Sequence, residues 1–153
     1  MKAGERVNEL TENLNSLWTG IIKRINFDLL KHSIVLELEI IENTKVFNYE
    51  LIFEEVSSYF FLNNEGNNRL EIYPYEEGDY LELTAIHYIK EGIGDIVIKS
   101  QQEEWTRNLY ASANFVLEIW SSYLFIEAKS VLVNGKKFYV ATEDIFYRVK
   151  KQE

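Results

Sequence analysis

The sequence predicts a mainly β (α+β) fold: an N-terminal helix packed on a curved antiparallel sheet of about eight strands, as a sandwich or a partial barrel. Three observations carry this. Apolar residues recur at helical spacing in the opening segment alone. Nearly every later apolar run alternates with period two. The segments between runs have the composition of short turns, with none of the helical crossovers that parallel strands require.

In the opening segment, Val7, Leu10, Leu14, Leu17 and Trp18 fall at spacings of three and four, which predicts a helix over residues 4–18 with one buried face. Thr19-Gly20 supplies its stop. Ile25, Phe27 and Leu29, then Ile34, Leu36, Leu38 and Ile40, predict two antiparallel strands. Asn43-Thr44-Lys45 predicts the next turn, and Phe47, Tyr49, Leu51 and Phe53 a third strand. Val56, Ser58, Phe60 and Leu62 resume the alternation shifted by one, as expected if a bulge near Glu54-Glu55 passes the strand to another part of the sheet.

Residues 63–68 predict an exposed loop tip. Leu70 and Ile72, with Leu81, Leu83 and Ala85, suggest a hairpin around residues 76–79, with Pro74 at a strand edge or end. Gly92 and Gly94 interrupt the pattern of residues 91–110, for which a strand and then an irregular or helical turn is expected. Phe115, Leu117 and Ile119, then Leu124, Ile126 and Ala128, then Val131 and Val133, give the last long strands. Asn134-Gly135 is the strongest hairpin signal, because a type I′ turn needs positive φ at both central residues. The polar tail from Thr142 suggests a short helix.

Composition narrows the function. A length of 153 residues fits one domain spanning 1–153, and 46% hydrophobic residues can fill its interior. Zero Cys excludes disulfides and thiolate chemistry, and His32 and His87 are the two histidines. A formal charge of −9 repels nucleic-acid backbones and anionic membranes. With no apolar run long enough for a span and no signal-like leader, the expected address is cytoplasmic.

Catalytic patterns are weak. Gly92-Ile93-Gly94 lacks the rest of a phosphate loop, and Ser57-Ser58, Ser100 and Ser121-Ser122 lack a nucleophile elbow. Glu37, Glu39, Glu42, Glu50 and Glu54 sit on the outward register of paired strands, which a solvated face explains more simply than acid/base or cation chemistry. No cofactor, no metal site and no catalytic residue is expected.

The segment 71–82 is the best recognition patch. Glu71, Glu76, Glu77, Asp79 and Glu82 are interleaved with Tyr73, Tyr75 and Tyr80, and no base intervenes. Tyrosine offers rigid contact area with a polar tip, while carboxylates steer a basic partner. The simpler alternative is a solvated hairpin with its tyrosines flat against the sheet.

The stretches FDLLKHSIVLELEI, NYELIFEEVSSYFFL and NFVLEIWSSYLFIEAKSVLVNGKKF resemble the small YxiG-like family of Bacillus-type bacteria, over most of the chain. The segment 53–56, with Phe53 and Val56, is similar to an F-x-x-V segment of other small, mainly β immunity families. The resemblance implies a setting beside large secreted polymorphic toxins, and hence an immunity protein that binds a cognate toxin domain. It supplies no site residues.

The leading expectation is therefore a binding protein that neutralises a cognate toxin domain by direct contact, a basic domain being one to which its acidic charge is suited. Its candidate residues are Tyr73, Tyr75, Glu76, Glu77, Asp79, Tyr80 and Glu82, with Glu54 and Glu55 second. The rivals are a small-ligand or weakly enzymatic β domain, with Trp105, Trp120 and His87 lining a pocket, and a structural homo-oligomer subunit.

Overall fold

The computed structural model describes residues 3–140; the short helix expected from Thr142 lies outside them. One helix, α1 (Ala3–Asn15), precedes nine strands: β1 (Gly20–Asp28), β2 (Ser33–Glu42), β3 (Lys45–Leu62), β4 (Leu81–Tyr88), β5 (Asp95–Val97), β6 (Tyr110–Ser112), β7 (Phe115–Ile119), β8 (Ser122–Val133) and β9 (Lys136–Tyr139). The mainly β expectation holds.

The helix ends at Asn15 rather than at residue 18. Tight turn bonds from Leu17 N–H to the Leu14 carbonyl and from Gly20 N–H to the Leu17 carbonyl, with Thr19 at φ 62°, deliver the chain directly into β1. A Cβ on Gly20 would lie 3.0 Å from the Leu17 carbonyl oxygen, so glycine fits this close approach. Leu10, Leu14 and Leu17 are buried, and Glu9 forms an ion pair with Lys136 of β9.

The large sheet runs β3-β2-β1-β4-β7-β8-β9, and an added β3–β8 pairing joins its two sides. Six strands thus close into an antiparallel ring, β3-β2-β1-β4-β7-β8, which decides between the sandwich and the barrel expected from sequence. The β1–β4 seam is short, spanning Gly20 to Ile22 against Leu83 to Leu81.

A bend at Glu55 and a bulge just after it, close to the expected position, make closure possible. Residues 45–53 of β3 pair with β2, and residues 51–62 pair with β8. Within the second stretch Glu55 takes φ 50° and the register slips between Val56 and Ser58. A bulge adds twist and bend, so one 18-residue strand can serve both neighbours. The two expected hairpin turns form as well: Asn43 and Thr44 have φ 49° and 68°, and Asn134 and Gly135 have φ 50° and 81°, both central positions being positive as type I′ requires.

Inward residues of the ring form one core with the helix leucines. Phe53 and Phe115 are fully buried and meet edge to face, their centroids 5.0 Å apart, although their strands are separated by β8.

Two expectations need correction. Leu70 and Ile72 do not form a strand; residues 66–70 make a 3-10 turn, and residues 71–80 have no ladder bonds. Pro74 has no N–H to give a ladder, and the start of β4 is already taken by β1. Nor are all connections short: residues 63–80 and 89–114 are long excursions, the second stiffened by the small β5–β6 sheet and a 3-10 turn at Glu104–Asn108.

Candidate functional site

The excursion 63–80 is pinned at its base. Asn63 Nδ2 donates to the carbonyls of Arg69 at 3.2 Å and Glu71 at 2.7 Å, and Ser122 Oγ donates to the Asn63 carbonyl. At its tip Asp79 N–H donates to the Glu76 carbonyl at 3.0 Å, while the Asp79 carboxylate accepts the Glu76 N–H at 2.9 Å, and Gly78 supplies φ 94°. This reciprocal pair fixes a turn without a hairpin.

The tyrosines do not lie flat on the sheet. Tyr73 is 79% exposed and Tyr75 is 80% exposed. Tyr73 Oη donates to Glu71 at 3.3 Å, and Tyr80 packs on Trp120 with centroids 5.8 Å apart. Glu82, half-buried, follows on β4 opposite Ile21. The structure thus brings Tyr73, Tyr75, Glu76, Glu77, Asp79, Tyr80 and Glu82 onto one excursion and the strand start that follows it.

Glu54 and Glu55 do not join them. β3 and β4 are three strands apart in either direction round the ring. Glu54 pairs with Lys137 at 3.0 Å, and Glu55 is exposed at the positive-φ bend. The other outward acids behave as a solvated face: Glu37 meets Arg24 at 2.8 Å and Glu39 meets Lys23 at 3.7 Å.

The three residues expected to line one pocket are dispersed. Trp105 is exposed on its 3-10 turn, where its Nε1 donates to Glu103 at 3.0 Å. Trp120 caps the β7–β8 turn at φ 55°. His87 alone lines a groove, of about 430 Å³, on the outer face of the ring.

That groove follows from register. The outward cross-strand row His87, Val116, Phe125 and Phe60 runs across β4, β7, β8 and β3, and the next row is Ala85, Glu118, Tyr123 and Leu62. The loop at Asn64, Glu65 and Gly66 walls one side and Ile93 contributes to the lining. His87 Nε2 lies 3.2 Å from a Glu118 oxygen, and Tyr123 Oη donates to Glu65 at 2.8 Å. The Tyr123 phenol is held above its usual range, first because the Glu65 carboxylate accepts its proton, then through desolvation and the charges of Glu65 and Glu118. A second groove of about 330 Å³ shares Phe125 and continues past Phe60, Ile96, Ile98 and Leu109.

Glu65, Glu118, Tyr123 and Phe125 were missed by the sequence reasoning. The signal available was that Tyr123 and Phe125 occupy outward positions between the inward Leu124 and Ile126, where polar residues usually face water. Among the described residues no group of three His, Asp or Glu is placed to hold a metal ion, and no helix is long and apolar enough to cross a membrane.

Comparison with known proteins places this arrangement in a family. The model of a family described as "YxiG-like protein" matches residues 10–138, from the middle of α1 to the third residue of β9. A curated relative, "Uncharacterized protein YxiG" of Bacillus subtilis (strain 168), is 25% identical over 118 residues, covering 77% of this chain and 81% of its own.

Proposed function

The chain belongs to the YxiG-like family, and we propose that it is an immunity-type binding protein that neutralises a cognate secreted toxin domain by direct contact inside the producing cell. One observation carries the proposal: the excursion 71–82 presents Tyr73 and Tyr75 to solvent among five carboxylates, with no Lys or Arg between Arg69 and Lys90. Large aromatic rings in water are unfavourable in isolation, and become favourable once a partner covers them. Carboxylates around them accelerate encounter with a basic surface and set its orientation. A toxin acting on nucleic acid presents such a surface, and the charge of −9 adds long-range attraction. The Asn63 clamp and the Glu76–Asp79 turn hold the loop before binding, which lowers the ordering cost of association.

The test is co-expression of a toxin domain encoded beside this chain, with and without it, followed by co-purification. Rescue of growth together with a stable complex is expected. An active toxin that kills equally in both strains overturns the proposal.

A further inference from the structure

The outer groove carries an imbalance of charge. Three outward carboxylates elsewhere on the ring face a cation: Glu37 faces Arg24, Glu39 faces Lys23 and Glu54 faces Lys137. Glu65 and Glu118 face only the Tyr123 hydroxyl and the His87 ring among the described residues, and none of the residues lining the groove is Lys or Arg. Between these carboxylates lies an apolar floor of Leu62, Val116 and Phe125. A group that satisfies both features has a cationic head on an apolar stem, as Lys and Arg side chains do.

Phe125 lines both grooves, so a chain crossing its ring passes from the acidic end to an apolar trench lined by Phe60, Ile96, Ile98 and Leu109. A small amine would fill the first groove and leave the second empty, whereas an extended chain places alternate side chains along both. The geometry points to a docking site for an extended polypeptide segment of a partner protein, with an Arg or Lys seated between Glu65 and Glu118 and apolar side chains following over Phe125 into the second groove. This site lies apart from the tyrosine-bearing excursion tip and does not rest on the immunity proposal.

The test is a titration of the isotope-labelled full chain, followed by NMR, with the acetylated, amidated hexapeptide Arg-Thr-Leu-Thr-Val-Thr, in which Arg, Leu and Val share one face of the extended chain. Saturable shifts are expected at His87, Tyr123 and Phe125, with a Kd below about 1 mM. Replacing the peptide's Arg by Glu is expected to abolish them. The double variant Glu65→Gln, Glu118→Gln, with its unliganded spectrum still dispersed, is expected to bind at least about tenfold more weakly, as loss of charge-assisted contacts requires. Phe125→Leu, which trims the shared floor, is expected to weaken the hexapeptide and to leave N-acetyl-arginine amide unaffected. Absence of saturable shifts overturns the site. So does equal binding by the Glu peptide or by the double variant, and N-acetyl-arginine amide matching the hexapeptide at equal concentration overturns the polypeptide occupant.

Discussion

Asn114 holds both backbone groups of Ala128: its Nδ2 donates to the Ala128 carbonyl at 2.8 Å and its Oδ1 accepts the Ala128 N–H at 3.0 Å. Its own N–H donates to the Ile126 carbonyl at 3.0 Å, and its carbonyl accepts the Ile89 N–H at 2.8 Å. One buried side chain thus extends the β7–β8 ladder past the start of β7, at the point where the excursion 89–114 returns to the ring. Replacement by Leu, similar in volume, strips the partners from two buried backbone groups and is expected to cost about 2–4 kcal/mol. Urea unfolding of Asn114→Leu against the parent chain checks this, an unchanged midpoint being the contrary result.

The β8–β9 turn is tied to a third strand. Asn134 Oδ1 accepts the Glu50 N–H at 2.8 Å and its own N–H donates to the Glu50 carbonyl at 2.9 Å, so the turn docks on β3. A Cβ on Gly135 meets nothing within 4 Å, so Gly135→Ala is expected to cost about 1–2 kcal/mol through its left-handed backbone alone. Asn134 already carries a Cβ, so Asn134→Ala gives up only the tolerance of this backbone that asparagine confers, but it also strips the acceptor from the Glu50 N–H, and together these are expected to make it the more destabilising of the two. Thermal melts of both variants test the order.

Charge reversal on the loop proposed to bind the toxin domain separates binding from folding. Glu76→Lys with Glu77→Lys is expected to leave the unfolding midpoint unchanged, since both side chains are exposed, and to slow association with the toxin domain steeply at low salt. Asp79 needs a different substitution, because its carboxylate accepts the Glu76 N–H; Asp79→Asn keeps that acceptor while removing the charge. Association rates that ignore all three changes would remove this loop from the interface.

Tyr88 links the core to alkaline pH. Burial, and next the nearby Glu91 charge, raise its phenol above the ordinary value near 10. The folded state therefore holds that proton more tightly than the unfolded state. The stabilisation is fully present below about pH 10 and disappears as pH rises through the higher folded value. Tyr88→Phe is expected to flatten the loss of stability above about pH 10, read as the urea midpoint over a series of pH values. An alkaline loss equal to that of the parent would assign it to other groups.

Local signals located the elements well. The helix face of Leu10, Leu14 and Leu17, the turn at Asn43-Thr44, the bend at Glu55 and the turn at Asn134-Gly135 all depend on short-range geometry, which residue type controls directly. The misplaced strand around Leu70 and Ile72 shows where such signals stop, because two alternating residues state a preference and cannot supply a free edge.

By itself, then, the sequence determined the buried faces of β2, β7 and β8, the reversals at Asn43-Thr44 and Asn134-Gly135, and that acids and tyrosines gather in residues 71–82. Period-two alternation specifies a face and leaves the partner open, so only the tertiary structure decided that β3 pairs with β8 and closes the ring. The same limit applies to the sites. Tyr73, Tyr75 and Asp79 are neighbours in the chain and were legible together. Glu65, His87, Glu118 and Phe125 come from a loop and three strands: the β4–β7 and β7–β8 pairings align the last three, and the β3–β8 pairing that closes the ring brings the loop of Glu65 beside them.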